Sequence, residues 1–151
     1  MIAVIRVRGV ANVSPEIKRT LELLRLHKPN HLVLLPEERK SMVQKAKDYV
    51  TFGEISEDVL TKMLEKRGRL EGDKKISFDY LKEKKFRGFE EAGKAVLEGK
   101  ETLKALGVKP VFRLGPPRKG HSRKGIKKSF VDGGVLGYRG EKINKLIMSM
   151  I

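Results

Sequence analysis

The chain has 151 residues, 34 of them Lys or Arg against 19 Asp or Glu, for a formal charge of +15 and a pI near 10.1. Hydrophobic residues are 39% of the total, enough for one modest core, and no apolar run reaches the roughly 18 residues of a membrane span. With no cysteine there is no disulfide, no thiolate nucleophile and no cysteine metal site, and Arg6 and Arg8 interrupt the apolar start before signal-peptide length, so secretion is not expected.

A surplus of this size on a small chain makes a polyanion the expected partner. Nucleic acid outranks lipid because no basic amphipathic helix with a broad aromatic or leucine face is visible. Three Asn and one Gln beside abundant Lys, Arg and Glu also match a composition favoured at high temperature.

In chain order, Ile2 to Arg8 alternates, with Ala3, Ile5 and Val7 on one face and Val4, Arg6 and Arg8 on the other, the pattern of a half-buried strand. Ser14 then suits an N-cap and Pro15 the first helical turn, and Ile17, Leu21 and Leu24 recur on one face until Pro29. Leu32 to Leu35 reads as a strand, Glu37 to Ala46 as a helix through Met42 and Val43, and Tyr49 to Phe52 as a strand ended by Gly53. Residues 1–55 are thus a βαβαβ core. Residues 56–109 read as short helices broken at Gly68, Gly72, Gly88, Gly99 and Gly107, with Val59, Leu60, Met63 and Leu64 facing inward. Residues 110–151 begin with a strand from Val111 to Leu114, pass through a basic loop and Gly-rich turns to Gly140, and end in a helix carrying Ile143, Leu146, Ile147 and Met150 that packs back on the core.

The surplus is uneven. Residues 1–55 carry a net +4, residues 56–107 a net +2 and residues 108–151 a net +9, and positions 118–128 hold six basic residues and no acid. Since ordered sequence flanks it on both sides, that cluster is an anchored loop rather than a tail. Arg118, Lys119, Arg123, Lys124, Lys127 and Lys128, with Gly120 and Gly125 allowing close approach, suit the spaces between RNA backbones. About six phosphate contacts would give a salt slope of roughly −4 to −5. RNA is preferred to duplex DNA because no recognition helix is evident. Arg6 and Arg8 stand open between two readings, solubilising charges on a sheet face or RNA contacts.

Other chemistry fits poorly. His27 and His31 have the spacing of two helical ligands, but Pro29 separates them into different elements. Residues 115–122 imitate a phosphate loop, yet Pro116 and Pro117 remove the N–H donors it needs and His121 stands where its lysine belongs. Gly134, Gly137 and Gly140 lack the spacing of a dinucleotide fingerprint. The carboxylates of residues 57–101 alternate with Lys and Arg at helical spacing, the pattern of a solvated, salt-bridged face. Only Tyr49 and Phe52 could stack bases on a strand, too few for an aromatic platform.

Several stretches resemble a known family. Ile2-Ala-Val-Ile-Arg-Val-Arg-Gly9, Arg19-Thr-Leu-Glu-Leu-Leu-Arg-Leu-His27 with Asn30-His-Leu-Val, and Tyr49-Val-Thr-Phe-Gly-Glu54 are similar to the L-thirty family of large-subunit ribosomal proteins. Phe112-Arg-Leu-Gly-Pro-Pro-Arg-Lys-Gly120 and Ser129-Phe-Val-Asp-Gly-Gly134 resemble its long archaeal form and the eukaryotic L-seven proteins. The long basic N-terminal arm of the eukaryotic proteins does not precede Met1 in this sequence, which favours the archaeal form. The resemblance implies an α+β, ferredoxin-like βαβαβ core with a small antiparallel sheet, a helical insertion and a basic C-terminal extension. It implies a cytoplasmic structural constituent of the large ribosomal subunit that binds large-subunit ribosomal RNA and neighbouring ribosomal proteins. It leaves open whether the small 5S-type RNA is touched. It implies no catalysis, cofactor, metal, membrane or small-molecule substrate. By matching positions, it brings Lys18, Arg19, Arg25, His27, Lys28, Arg113, Arg118, Lys119 and His121 near RNA, while Arg123, Lys124, Lys127 and Lys128 rest on charge density. Rival readings are a regulatory RNA or DNA binder outside the ribosome, and a nucleotide-using enzyme.

Overall fold

The computed structural model describes residues 1–9 and 11–151. Among them, β1 (Ile2–Arg6), β2 (His31–Leu35), β3 (Val50–Glu54), β4 (Val111–Arg113) and β5 (Gly137–Tyr138) form one sheet in the order β4-β2-β1-β3-β5. All neighbouring pairs are antiparallel except β3 and β5. The helices are α1 (Pro15–Leu23), α2 (Lys40–Lys45), α3 (Glu57–Arg67), α4 (Phe78–Glu83), α5 (Phe89–Leu97) and α6 (Ile143–Met150). The protein is therefore of the α+β class, with a ferredoxin-like core and a mostly antiparallel sheet, and no described helix is long and apolar enough to cross a membrane.

The alternation along β1 assigns its residues to the right faces, but half-burial does not hold. All five residues are buried because helices cover both sides of the sheet. Ile2 and Val4 enter a core with Leu21, Leu24 and Val43 from the α1 and α2 side. Ala3 and Ile5 enter a second core with Leu60, Met63, Val96, Ile143 and Ile147 from α3, α5 and α6. Side chains from the first, middle and last thirds of the chain thus share one apolar layer, and the expected inward face of α6 is sealed, with Ile143 and Ile147 fully buried.

Gly53 does not end its strand. It lies inside β3, where a Cβ would stand 2.1 Å from the carbonyl oxygen of Gly140, so the bare backbone lets the C-terminal segment pass against the sheet. That segment supplies β5, which pairs Gly137 with Thr51. A two-residue strand within Gly-rich sequence has no periodicity to betray it. The middle segment follows its glycines more closely, with Gly68 capping α3 and Gly88 preceding α5. Its acids are exposed as expected, save the half-buried Glu101, yet the expected ladder of helical ion pairs is not formed. Between residues 57 and 101, the described ion pairs are Glu98 with Lys100 and two on Asp73, whose cations Lys109 and Arg113 lie outside the helices.

Candidate nucleic-acid interface

The strand registers bring Arg6, His31, Val50, Arg113 and Gly137 to one end of the sheet. Four connections gather there: residues 7–9 and 11–14 after β1, residues 24–30, residues 46–49 leading into β3, and residues 114–136 between β4 and β5. Because β4 and β5 are opposite edges, residues 114–136 cross the whole sheet end as a strap.

Main-chain hydrogen bonds hold the strap although its side chains repel one another. The amides of Gly115 and Arg118 donate to the carbonyls of Met150 and Ser149 at the end of α6, at 3.0 and 2.9 Å. Further along, Phe130 N–H donates to Leu136 O and Gly134 N–H to Ser129 O, both at 2.7 Å. Gly134 is required in that turn, since a Cβ would lie 2.2 Å from Lys128 O. Val135 and Leu136 pack on Val7 to close the base. The cluster at 118–128 is therefore pinned through the backbone at both ends, with turns closed by Gly120 N–H to Pro117 O and Gly125 N–H to Ser122 O, both at 2.9 Å. Arg118, Lys119, Arg123, Lys124, Lys127 and Lys128 are all exposed, with no acidic partner among the described residues.

Beside the strap, a cleft of about 240 Å³ opens between Arg25, His27, His31, Arg69, Lys109 and Arg113, with Pro110 and Val111 as apolar wall. Arg113 and Lys109 both reach the carboxylate of Asp73, and the Lys109 hydrogen bond, then the Arg113 charge, hold that carboxyl below its ordinary value. His31 is driven below its ordinary value by burial first, then by Arg113, His27, Lys28 and Arg6. Such crowding of cations around one acid is an electrostatic setting for an anion. Arg69 comes from the nearly balanced middle segment and Lys109 from the start of the basic last third. They are carried here by the Leu70–Val108 bridge and the bond from Lys109 N–H to Arg69 O at 2.8 Å, a long-range pairing with no local signature.

Of the two charges on the first strand, neither is a free solubilising charge. Arg6 is 4% exposed. Its guanidinium donates to Arg8 O and Gly9 O, both at 2.9 Å, and to Leu26 O and His27 O at 2.7 and 3.2 Å. Arg6 therefore ties two of these connections together from within. Arg8 lies at the rim, over the Tyr49 ring at 4.6 Å and donating to Asp48 O at 3.2 Å. Arg25, His27 and Lys28 are exposed in the α1–β2 connection, whereas Lys18 and Arg19 lie on the exposed side of α1. His121 is half-buried at the strap, lowered by burial and by Arg139. Arg139, in the run Gly-Tyr-Arg-Gly that reads as a plain turn, lies in the same pocket as His121.

Fold and surface together define a basic α+β protein whose cationic loops meet at one end of a helix-covered sheet. The profile of the family described as "Ribosomal protein L30p/L7e" matches residues 2–50. A relative from Nanoarchaeum equitans, "Large ribosomal subunit protein uL30", is 56% identical over 151 residues, covering 99% of this chain and 97% of its own. Proteins of the same name from Methanococcus maripaludis (strain DSM 14266) and Methanosphaera stadtmanae are 48% and 46% identical, over 99% and 100% of this chain. The chain belongs to the uL30 family of large ribosomal subunit proteins.

Proposed function

We propose that the protein is a non-catalytic structural constituent of the large ribosomal subunit, working in the cytoplasmic ribosome. In this reading the strap and the α1–β2 connection bind large-subunit ribosomal RNA. The observation that carries it is the strap itself: a backbone-fixed crossing of the sheet end that presents six cations and no acid over residues 118–128, beside a second basic cleft. Fixed cations of one sign replace condensed counter-ions on converging phosphate backbones without reading sequence. Arg118, Lys119, Arg123, Lys124, Lys127 and Lys128 meet phosphates from the strap, Arg25, His27, Lys28 and Arg113 from the cleft, and Lys18, Arg19 and Arg8 from the flank. Arg6 acts indirectly, by fixing both loops. The evenly charged outer side of α3 to α5 is left for neighbouring ribosomal proteins.

The test is equilibrium binding to large-subunit ribosomal RNA across a salt series. Replacing Arg118, Lys119, Arg123 and Lys124 with Ala should weaken binding for all RNA sequences tried and flatten the salt slope by roughly 3. Unchanged affinity and slope would remove the strap from the interface.

A further inference from the structure

Beneath the strap lies a second pocket, of about 160 Å³, lined by Gly120, His121, Ser122, Phe130, Arg139 and Leu146 among others. Arg139 Nε donates to Thr51 Oγ1 at 2.9 Å and Nη2 to Val135 O at 2.8 Å, with the guanidinium 4.6 Å from the centre of the Phe130 ring. A guanidinium has five N–H groups, so these bonds leave most of its donors without a partner among the described residues. No carboxylate pairs with it there either. Burial alone lowers its pKa to about 10, as expected of a half-buried cation without a counter-charge. His121 Nδ1 is also sealed from solvent with no hydrogen-bond partner among the described residues. Lys124 runs alongside Gly133, one of the lining residues: a Cβ there would lie 3.5 Å from its Nζ.

We propose that this pocket, framed by Arg139 and His121, is a seat for one phosphate group of an RNA backbone drawn in beneath the strap. The inference rests on the RNA-binding reading above and adds an internal anion site to a surface otherwise made of exposed cations. A planar fork with free donors and an unpartnered ring nitrogen around one small space match a phosphate's several acceptor oxygens. An arginine that served only to clamp β3 to Val135 would not need to line a pocket with donors to spare.

Inorganic phosphate shares this chemistry and serves as the first probe. Thermal unfolding of the full chain is followed in phosphate and in chloride of equal ionic strength. At about ten times its Kd, phosphate should raise the parent's midpoint by roughly 3–6 °C beyond chloride. Arg139→Gln should abolish that rise, Arg139→Lys should keep part of it, and Lys62→Ala on the exposed side of α3 should keep it all. A rise retained in Arg139→Gln, or none in the parent, overturns the site. If Arg139→Gln does not fold, His121→Ala carries the same comparison. The second arm is large-subunit RNA, for which Arg139→Gln should lose roughly tenfold in affinity and about one unit of salt slope. Parent-like RNA binding by Arg139→Gln overturns the RNA seat and leaves the ribosomal reading standing. Failure of the parent itself to bind that RNA overturns the ribosomal reading as well.

Discussion

Arg6 stands on a strand covered on both faces, where a charge is costly unless every polar contact is met, and four carbonyls from two loops meet it. Arg6→Ala should therefore lower unfolding free energy by roughly 2–4 kcal/mol, read by urea denaturation, and Arg6→Lys should recover little because an ammonium cannot fork among four acceptors. An exposed neighbour such as Lys119→Ala should change stability by less than about 0.5 kcal/mol. Two histidines add a dependence on acidity. His31 is lowered by burial and the cations Arg113, His27, Lys28 and Arg6, and His121 by burial and Arg139. In the unfolded chain both titrate near 6.5. Above that value neither state holds the protons. As the pH falls below it the unfolded chain takes them up first, so the free protein loses stability. Bound phosphate reverses the sign by favouring both imidazolium ions. From about pH 7 to about pH 5.5 the melting temperature of the free protein should fall while RNA affinity rises, and His31→Gln with His121→Gln should weaken both trends.

The strap matters as an element because it joins opposite sheet edges, and its path depends on close backbone approaches at both ends. Gly53→Ala drives a methyl into the Gly140 carbonyl and should cost roughly 1–3 kcal/mol, with α6 and β5 losing amide-exchange protection ahead of α1. At this scale the sequence was readable where a period exists. The Pro15 helix start, the Leu32 strand and the α6 face of Ile143 and Ile147 follow from spacing, and the anchoring of residues 118–128 follows from the ordered flanks. The two-residue strand at Gly137 was hidden, since a parallel pairing with Thr51 leaves no local mark. Gly53 misled as a stop because a breaker and a close-approach glycine look identical in one dimension. Arg6 misled because alternation reports which face a residue occupies and says nothing of whether a second helical layer covers that face. Arg69, Lys109 and Arg139 join the cationic surface only through contacts between distant segments.

At the scale of the whole molecule the charge distribution and the fold agree. The balanced middle third builds the helical layer under one sheet face, and the strongly basic last third returns across the sheet end as its strap. The free protein carries concentrated self-repulsion there, which a polyanion relieves. In the function proposed above, that polyanion is large-subunit RNA. The most direct measurement is ultraviolet crosslinking within large subunits washed at high salt, followed by mapping of the RNA-bearing peptides. The account predicts near-stoichiometric protein in the washed particle, with adducts in residues 114–136 and 24–30. Adducts confined to α3, α4 and α5, or a chain stripped away by the wash, would contradict it.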